Sequence, residues 1–253
     1  MSRDLADSRR WTRAGTALFL DAIAGFDDAT LDAASGLPDW SRRQLVAHVA
    51  ANARALMNLV SWARTGVVQP MYASPQAGVR GIADGAAKPS NQLLSWTRGC
   101  AHDLEQAMAE LSAEQWGREV RTAQGRSVPA SEIPWLRARE VFVHAVDLDA
   151  GATFADLPAD FLVCLGADIV GKRNATPGIA VRLEATDVPV VWALAGPGRE
   201  LEITAPLADL VAYLSGRARG GPTADRDDAP ALSAWLGRNH SACCQSAAGG
   251  GPT

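Results

Sequence analysis

The chain has 253 residues, 47% hydrophobic and 21% charged, with a net charge of -4 and a pI near 5.6. That length supports one large domain or two small ones around a sizeable core, and the acidic balance argues against a nucleic-acid binder, which usually needs a basic face. No apolar run reaches the roughly 18 residues of a membrane span, and the opening segment lacks the apolar stretch of a signal peptide, so a cytoplasmic protein with no membrane partner is expected.

Leu5 to Ile23 carries apolar residues at helical spacing and stops before the turn-like Gly25, Asp27 and Asp28. Ser41, followed three residues later by Gln44, forms a capping box that opens a second helix running to about Arg64 and stopping at Gly66. Pro70 and Pro75 mark a loop, with a short helix expected over Val79 to Ala83. Ser90 is expected to cap a third helix, whose stripe Leu93, Thr97, Cys100, Leu104, Met108 and Leu111 has the helical period. After a polar stretch around Gly125, a fourth helix begins near Pro134 and ends at Gly151. Four long helices predict an antiparallel four-helix bundle over residues 1–153.

The pattern then changes. A helix is expected from Asp160 to about Lys172, followed by strand-like runs at Ile179 to Glu184, Val188 to Leu194 and Leu201 to Thr204. Ala195-Gly-Pro-Gly-Arg between the second and third runs reads as a hairpin turn. Pro206 opens a helix through Leu214, and Pro230 to Leu236 reads as another. These elements make a small α+β domain over residues 154–238, so the whole chain is of α+β class. Residues 239–253 are rich in Ser, Ala and Gly and read as a disordered tail. Of the four cysteines, Cys100 and Cys164 read as small core residues, and Cys243 and Cys244 fall in the tail without C-x-x-C spacing.

Only four histidines occur. His144 follows Glu140 by four residues, and on a helix this spacing puts both side chains on one face, within reach of one cation. Val141, Phe142, Val143, Ala145 and Val146 leave little of this helix for water, and a carboxylate there is costly unless it is paired or binds a metal. His48 lies on the second helix in the inward stripe Leu45, His48, Asn52, Leu56 and Leu59. Two imidazoles and one carboxylate from facing helices are a common catalytic zinc set, which other divalent metals also accept. Read alone, the Glu140–His144 spacing is a weak signal that occurs by chance in many helices, and the alternative is a hydrogen-bonded pair with His48 a satisfied core histidine. His102 reads as a solvated helix residue and His240 as part of the tail.

Several blocks resemble a known family. They are Leu37-Pro-Asp-Trp-Ser with Leu45-Val-Ala-His48, then Asn58-Leu-Val-Ser-Trp-Ala-Arg-Thr-Gly, Pro70-Met-Tyr and Thr122-Ala-Gln-Gly-Arg-Ser-Val-Pro-Ala. The last is Pro134-Trp-Leu-Arg-Ala-Arg-Glu140-Val-Phe-Val-His144-Ala-Val-Asp-Leu-Asp. Together they resemble the mycothiol-dependent maleylpyruvate isomerases, built on a DinB-like metal-binding bundle. The resemblance implies that His48, Glu140 and His144 occupy zinc-ligand positions and that mycothiol is the thiol cofactor. It also implies a C-terminal domain that supplies an active-site arginine, best matched by Arg217, with Arg219 as its near neighbour. Read instead from its position, Arg217 is a surface residue capping the preceding helix.

The activity so implied is cis–trans isomerisation of maleylpyruvate to fumarylpyruvate in gentisate-type aromatic degradation. The same apparatus suits a mycothiol S-transferase that detoxifies electrophiles, and a non-catalytic metal-binding regulatory module is a third reading. The expected partners are a small-molecule substrate and a low-molecular-weight thiol, with the protein a monomer or small homo-oligomer.

Overall fold

A computed structural model describes residues 3–176, 178–198, 200–218, 231–233 and 235. Arg219, His240, Cys243, Cys244 and the expected tail at 239–253 lie outside the described residues. The helix expected over Pro230 to Leu236 is not found: residues 231–233 and 235 are described and none is helical, while Pro230, Ala234 and Leu236 lie outside the described residues. The chain divides into two compact units, one spanning Asp4–Ala152 and the other beginning at Thr153.

In the first unit, α1 (Leu5–Ala22) starts where the Asp4 carboxylate accepts from Asp7 N. A short α2 (Asp28–Asp32) follows. The long α3 (Arg42–Thr65) carries the Ser41/Gln44 capping box and closes on Gly66 in the left-handed region, at φ 77°. Next comes α4 (Pro75–Ala86), longer than the expected Val79 to Ala83. Pro75 starts this helix, because Ser74 accepts from Ala77 N and the proline, which has no N–H to satisfy, fits the first turn.

Ser90 is the first residue of α5 (Ser90–Ala109) and does not cap it. Its N–H and hydroxyl instead donate to the Asp28 carboxylate at 3.0 and 3.2 Å, so an acid from α2 serves the helix N-terminus. The polar stretch before the last helix holds a one-turn α6 (Ala113–Trp116) and a hairpin of β1 (Glu119–Arg121) and β2 (Ser127–Pro129), turned at Gly125. Finally α7 (Ile133–Asp147) ends short of Gly151, because Asp149 and Gly151 already have φ of 53° and 106°.

The four long helices α1, α3, α5 and α7 form the bundle, with α7 packed on α1 and α3 in contact with α4, α5 and α7. Leu45, Leu56 and Leu59 of α3 are all 1% exposed or less, and each such burial contributes about 1.5–3 kcal/mol. The α1–α7 contact is very close at Gly15, where an added Cβ would stand 2.7 Å from Val141 Cγ2. Beside it Trp11 meets Trp135 edge-on at 5.8 Å, and the Thr12 hydroxyl donates to Pro134 O at 2.7 Å.

The second unit contains α8 (Ala159–Asn174), β3 (Val181–Ala185), β4 (Val191–Leu194), β5 (Leu201–Ala205) and α9 (Leu207–Leu214). Its strand order is β4-β3-β5, with β3 antiparallel to β4 and parallel to β5. The expected hairpin across Ala195-Gly-Pro-Gly is therefore wrong: the turn lies between β3 and β4, closed by Ala185 N donating to Val190 O. Gly196 instead runs past the start of β3, where a Cβ would stand 2.3 Å from the Ile179 carbonyl carbon. Trp192 of β4 seats its ring against Gly166 of α8. Helical bundle and small mixed unit together give the expected α+β class.

Candidate metal centre

The two helices that meet at the centre, α3 and α7, are also bonded to each other next to it. Arg137, 2% exposed, donates from one guanidinium nitrogen to Val49 O at 2.7 Å and to Asn52 Oδ1 at 2.9 Å. Its acceptors lie one and four residues after His48. Burial pushes the guanidinium down to about 10, opposed by the nearby Glu140 charge. The strap sets the stagger of one helix against the other, and so the height at which their side chains face each other.

At that height three side chains converge. Glu140 Oε2 lies 3.1 Å from His48 Nε2 and 3.2 Å from His144 Nε2. One ligand atom from each of the three falls within 4.8 Å of the others. The imidazole rings stand 5.0 Å apart and nearly perpendicular, at 88°. His144 is sealed at 1% exposure, whereas the His48 and Glu140 side chains keep 12% and 14%. The centre thus has a closed back and an open front, with Trp40 edge-on to His48 at 5.7 Å.

Burial opposes the charge on Glu140, but the two histidines outweigh it and hold the carboxyl well below the usual carboxylate range. Burial also works against a charged His144, yet Asp147 and Glu140 together raise it to about 8. Asp147, 2% exposed, lies 2.8 Å from His144 Nδ1. By accepting from the Nδ1–H it turns the ring so that Nε2 faces Glu140. That Nε2 is buried and makes no hydrogen bond, although Glu140 Oε2 is 3.2 Å away. A carboxylate oxygen and a ring nitrogen held this close need a positive charge between them, which a proton on His144 or a bound divalent ion can supply. The carboxylate–histidine arrangement is also the usual support of a metal-binding imidazole. The donor set fits a divalent metal.

Asp147 escaped the sequence reading, although it was legible as an acid three residues after His144 on the same helix. Tyr72 was also missed. Burial, with the charge of Glu140 added to it, pushes its phenol up to about 12. Cys100 is 7% exposed and lines a cavity between α3, α4 and α5. Burial raises its thiol, so it is not a ready thiolate.

His102 is exposed on α5, as expected. Arg217 lies in the second unit, just past α9, where its guanidinium donates to Ser215 O and Trp235 O and its N–H to Ala212 O. One end of the side chain therefore closes the helix C-terminus, as its position alone suggests.

A helical bundle that gathers two imidazoles and a carboxylate from facing helices belongs to the class of bundle proteins with a metal-type centre. The particular family follows from comparison with known proteins. Residues 12–149 match the family model described as the mycothiol maleylpyruvate isomerase N-terminal domain. Two solved structures, titled as the mycothiol-dependent maleylpyruvate isomerase and a histidine-to-alanine mutant of it, are each 37% identical with a TM-score of 0.86. Each match covers 92% of this chain and 98% of the other. Among curated protein sequences none matches. The chain belongs to the mycothiol-dependent maleylpyruvate isomerase family.

Proposed function

We propose that this protein isomerises maleylpyruvate to fumarylpyruvate with mycothiol, at a divalent metal held by His48, Glu140 and His144. Zinc is the metal this donor set suits best, two imidazoles and a carboxylate leaving a position open. The observation that carries the reading is the convergence of these three side chains on one point of the family's bundle, with His144 Nε2 orphaned toward it.

A divalent ion there would keep the mycothiol sulfur as its reactive thiolate at neutral pH. The thiolate adds to the alkene carbon β to the substrate ketone. A carbon–sulfur bond forms, and the π electrons move onto the ketone oxygen as an enolate. Rotation about the remaining single bond precedes collapse of the enolate, which restores the alkene in trans form and expels the same thiolate. No atom or electron is gained or lost. The chain supplies the surroundings of these steps. Asp147 orients His144, and Arg137 fixes the helix stagger. Tyr72 stays protonated, as a neutral donor in reach of the Glu140 charge. Arg217 holds a substrate carboxylate, with one nitrogen anchored by backbone carbonyls so that the planar fork is already oriented.

The test is turnover of maleylpyruvate by the metal-loaded protein with and without mycothiol. Turnover that needs both metal and mycothiol is expected, and it should vanish with the metal in the His48→Ala, His144→Ala double variant. Mycothiol transfer to an electrophile with no maleylpyruvate turnover would establish the S-transferase reading instead.

A further inference from the structure

We propose that the cavity between α3, α4 and α5 is the subsite for the sugar and inositol rings of the thiol cosubstrate, an inference that rests on the function proposed above. The cavity measures about 810 Å³, at the upper end of what small-molecule sites provide and ample for two six-membered rings. It lies beside the metal-type centre. Ala51 and Ala55 of its wall follow His48 by three and seven residues, on the same face of α3. Tyr72 lines it and lies within the field of Glu140.

Its chemistry suits a neutral ligand with many hydroxyls. Arg54 and Lys88 are matched by Asp84 and Asp103, so the lining favours neither an anion nor a cation. Among the described residues the Arg54, Asp84 and Asp103 side chains have no hydrogen-bond or ion-pair partner, leaving donors and acceptors to meet hydroxyl groups. Trp96 and Tyr72 add aromatic surface of the kind that packs on the C–H faces of sugar rings.

The glycines make the case specific. A helical glycine costs about 1 kcal/mol relative to alanine, and four glycines from α4 and α5 line this cavity. Two of them have an internal reason. A Cβ at Gly85 would stand 2.5 Å from the Trp96 ring, and one at Gly78 would stand 3.3 Å from the Tyr72 ring. Gly81 and Gly99 have none, for a Cβ at either would meet no atom within 4 Å. Nothing in the protein's own packing requires glycine at these two wall positions, and they leave bare helix backbone for a ligand to lie against.

Calorimetric titration of the metal-loaded, full-length protein tests this, with mycothiol and with its sulfur-free glucosaminyl-inositol fragment as separate probes. Both should bind the native protein, the fragment displaced by mycothiol. Gly81→Leu and Gly99→Leu should melt at the same temperature or higher and keep their metal, yet bind both probes at least tenfold more weakly. Asp103→Asn, an exposed change that leaves packing alone, should weaken the fragment in the same direction and provides a reading should a leucine variant misfold. Native-like affinity in these variants, with mycothiol binding and turnover intact in the native protein, overturns the cavity assignment alone. A native protein that binds no mycothiol overturns the proposed function, and the subsite with it.

Discussion

Asp147 is the residue on which the geometry of the candidate centre most directly depends. Its carboxylate accepts from His144 Nδ1 at 2.8 Å, and that bond turns Nε2 toward Glu140. Asp147→Asn keeps the shape but can present an amide N–H in place of the acceptor, which would favour the wrong tautomer. A loss of about 10- to 100-fold in metal affinity is expected, the range typical of such supporting partners. Competition with a chromophoric chelator measures it, and unchanged affinity would show that Glu140 alone orients the ring. Arg217 is tested by Arg217→Lys, which keeps the charge but not the planar fork. If it clamps a substrate carboxylate, turnover falls roughly 30- to 1000-fold, corresponding to about 2–4 kcal/mol in the transition state, while metal content and melting stay put. If it only closes α9 through Ser215 O and Trp235 O, stability falls and turnover of the folded fraction does not.

At the level of elements, the centre depends on how closely α7 can approach its neighbours, and Gly15 of α1 sets one of those approaches. Replacing a mid-helix glycine by alanine gains up to about 1 kcal/mol from propensity, but here the new methyl meets Val141 Cγ2 at 2.7 Å and the Phe142 ring at 3.0 Å. Overpacking of this kind costs about 1–3 kcal/mol, so Gly15→Ala should be a net loss, and Gly15→Val a larger one. Denaturant melts of the two variants check the order, and a stabilised Gly15→Ala would mean that α1 and α7 part freely. The long helices were readable because their apolar periods run over many turns and their caps are explicit, as at Ser41 and Gly66. The β1–β2 hairpin was not, since three-residue strands in a polar stretch show no alternation to read. Pairing in the second unit was misjudged for a related reason. Gly-Pro-Gly marks a change of direction without naming the partner strand; β4 pairs back on β3, and β5 joins the other edge of β3. At the centre the spacing of Glu140 and His144 was local and visible. The cavity was not, because its walls come from three helices whose packing no single stretch encodes.

For the whole molecule, the division between Ala152 and Thr153 assigns all three candidate ligands to one compact unit. A metal that binds only the folded bundle at a hundredfold excess over its dissociation constant contributes about 2.7 kcal/mol, which for a unit of this size is roughly 5–10 °C in melting temperature. Chelation should therefore lower the bundle's transition by that amount and leave the transition of the second unit in place. Limited proteolysis, which we expect to cut near residues 150–158, should release a helical fragment that retains the metal. A chelator that moves both transitions equally would show that the two units unfold as one.

The burial of Cys100 has a consequence for durability. Its thiol is 7% exposed and raised by its surroundings, so peroxide, which attacks thiolates, finds little to react with there. If the nucleophile is borrowed from solution, as proposed above, oxidative damage falls on a reagent that diffuses away and is replaced from the cell's pool. Such a catalyst ages through its supply of reduced thiol more than through its own polypeptide, and restoring that supply would restore it without new synthesis.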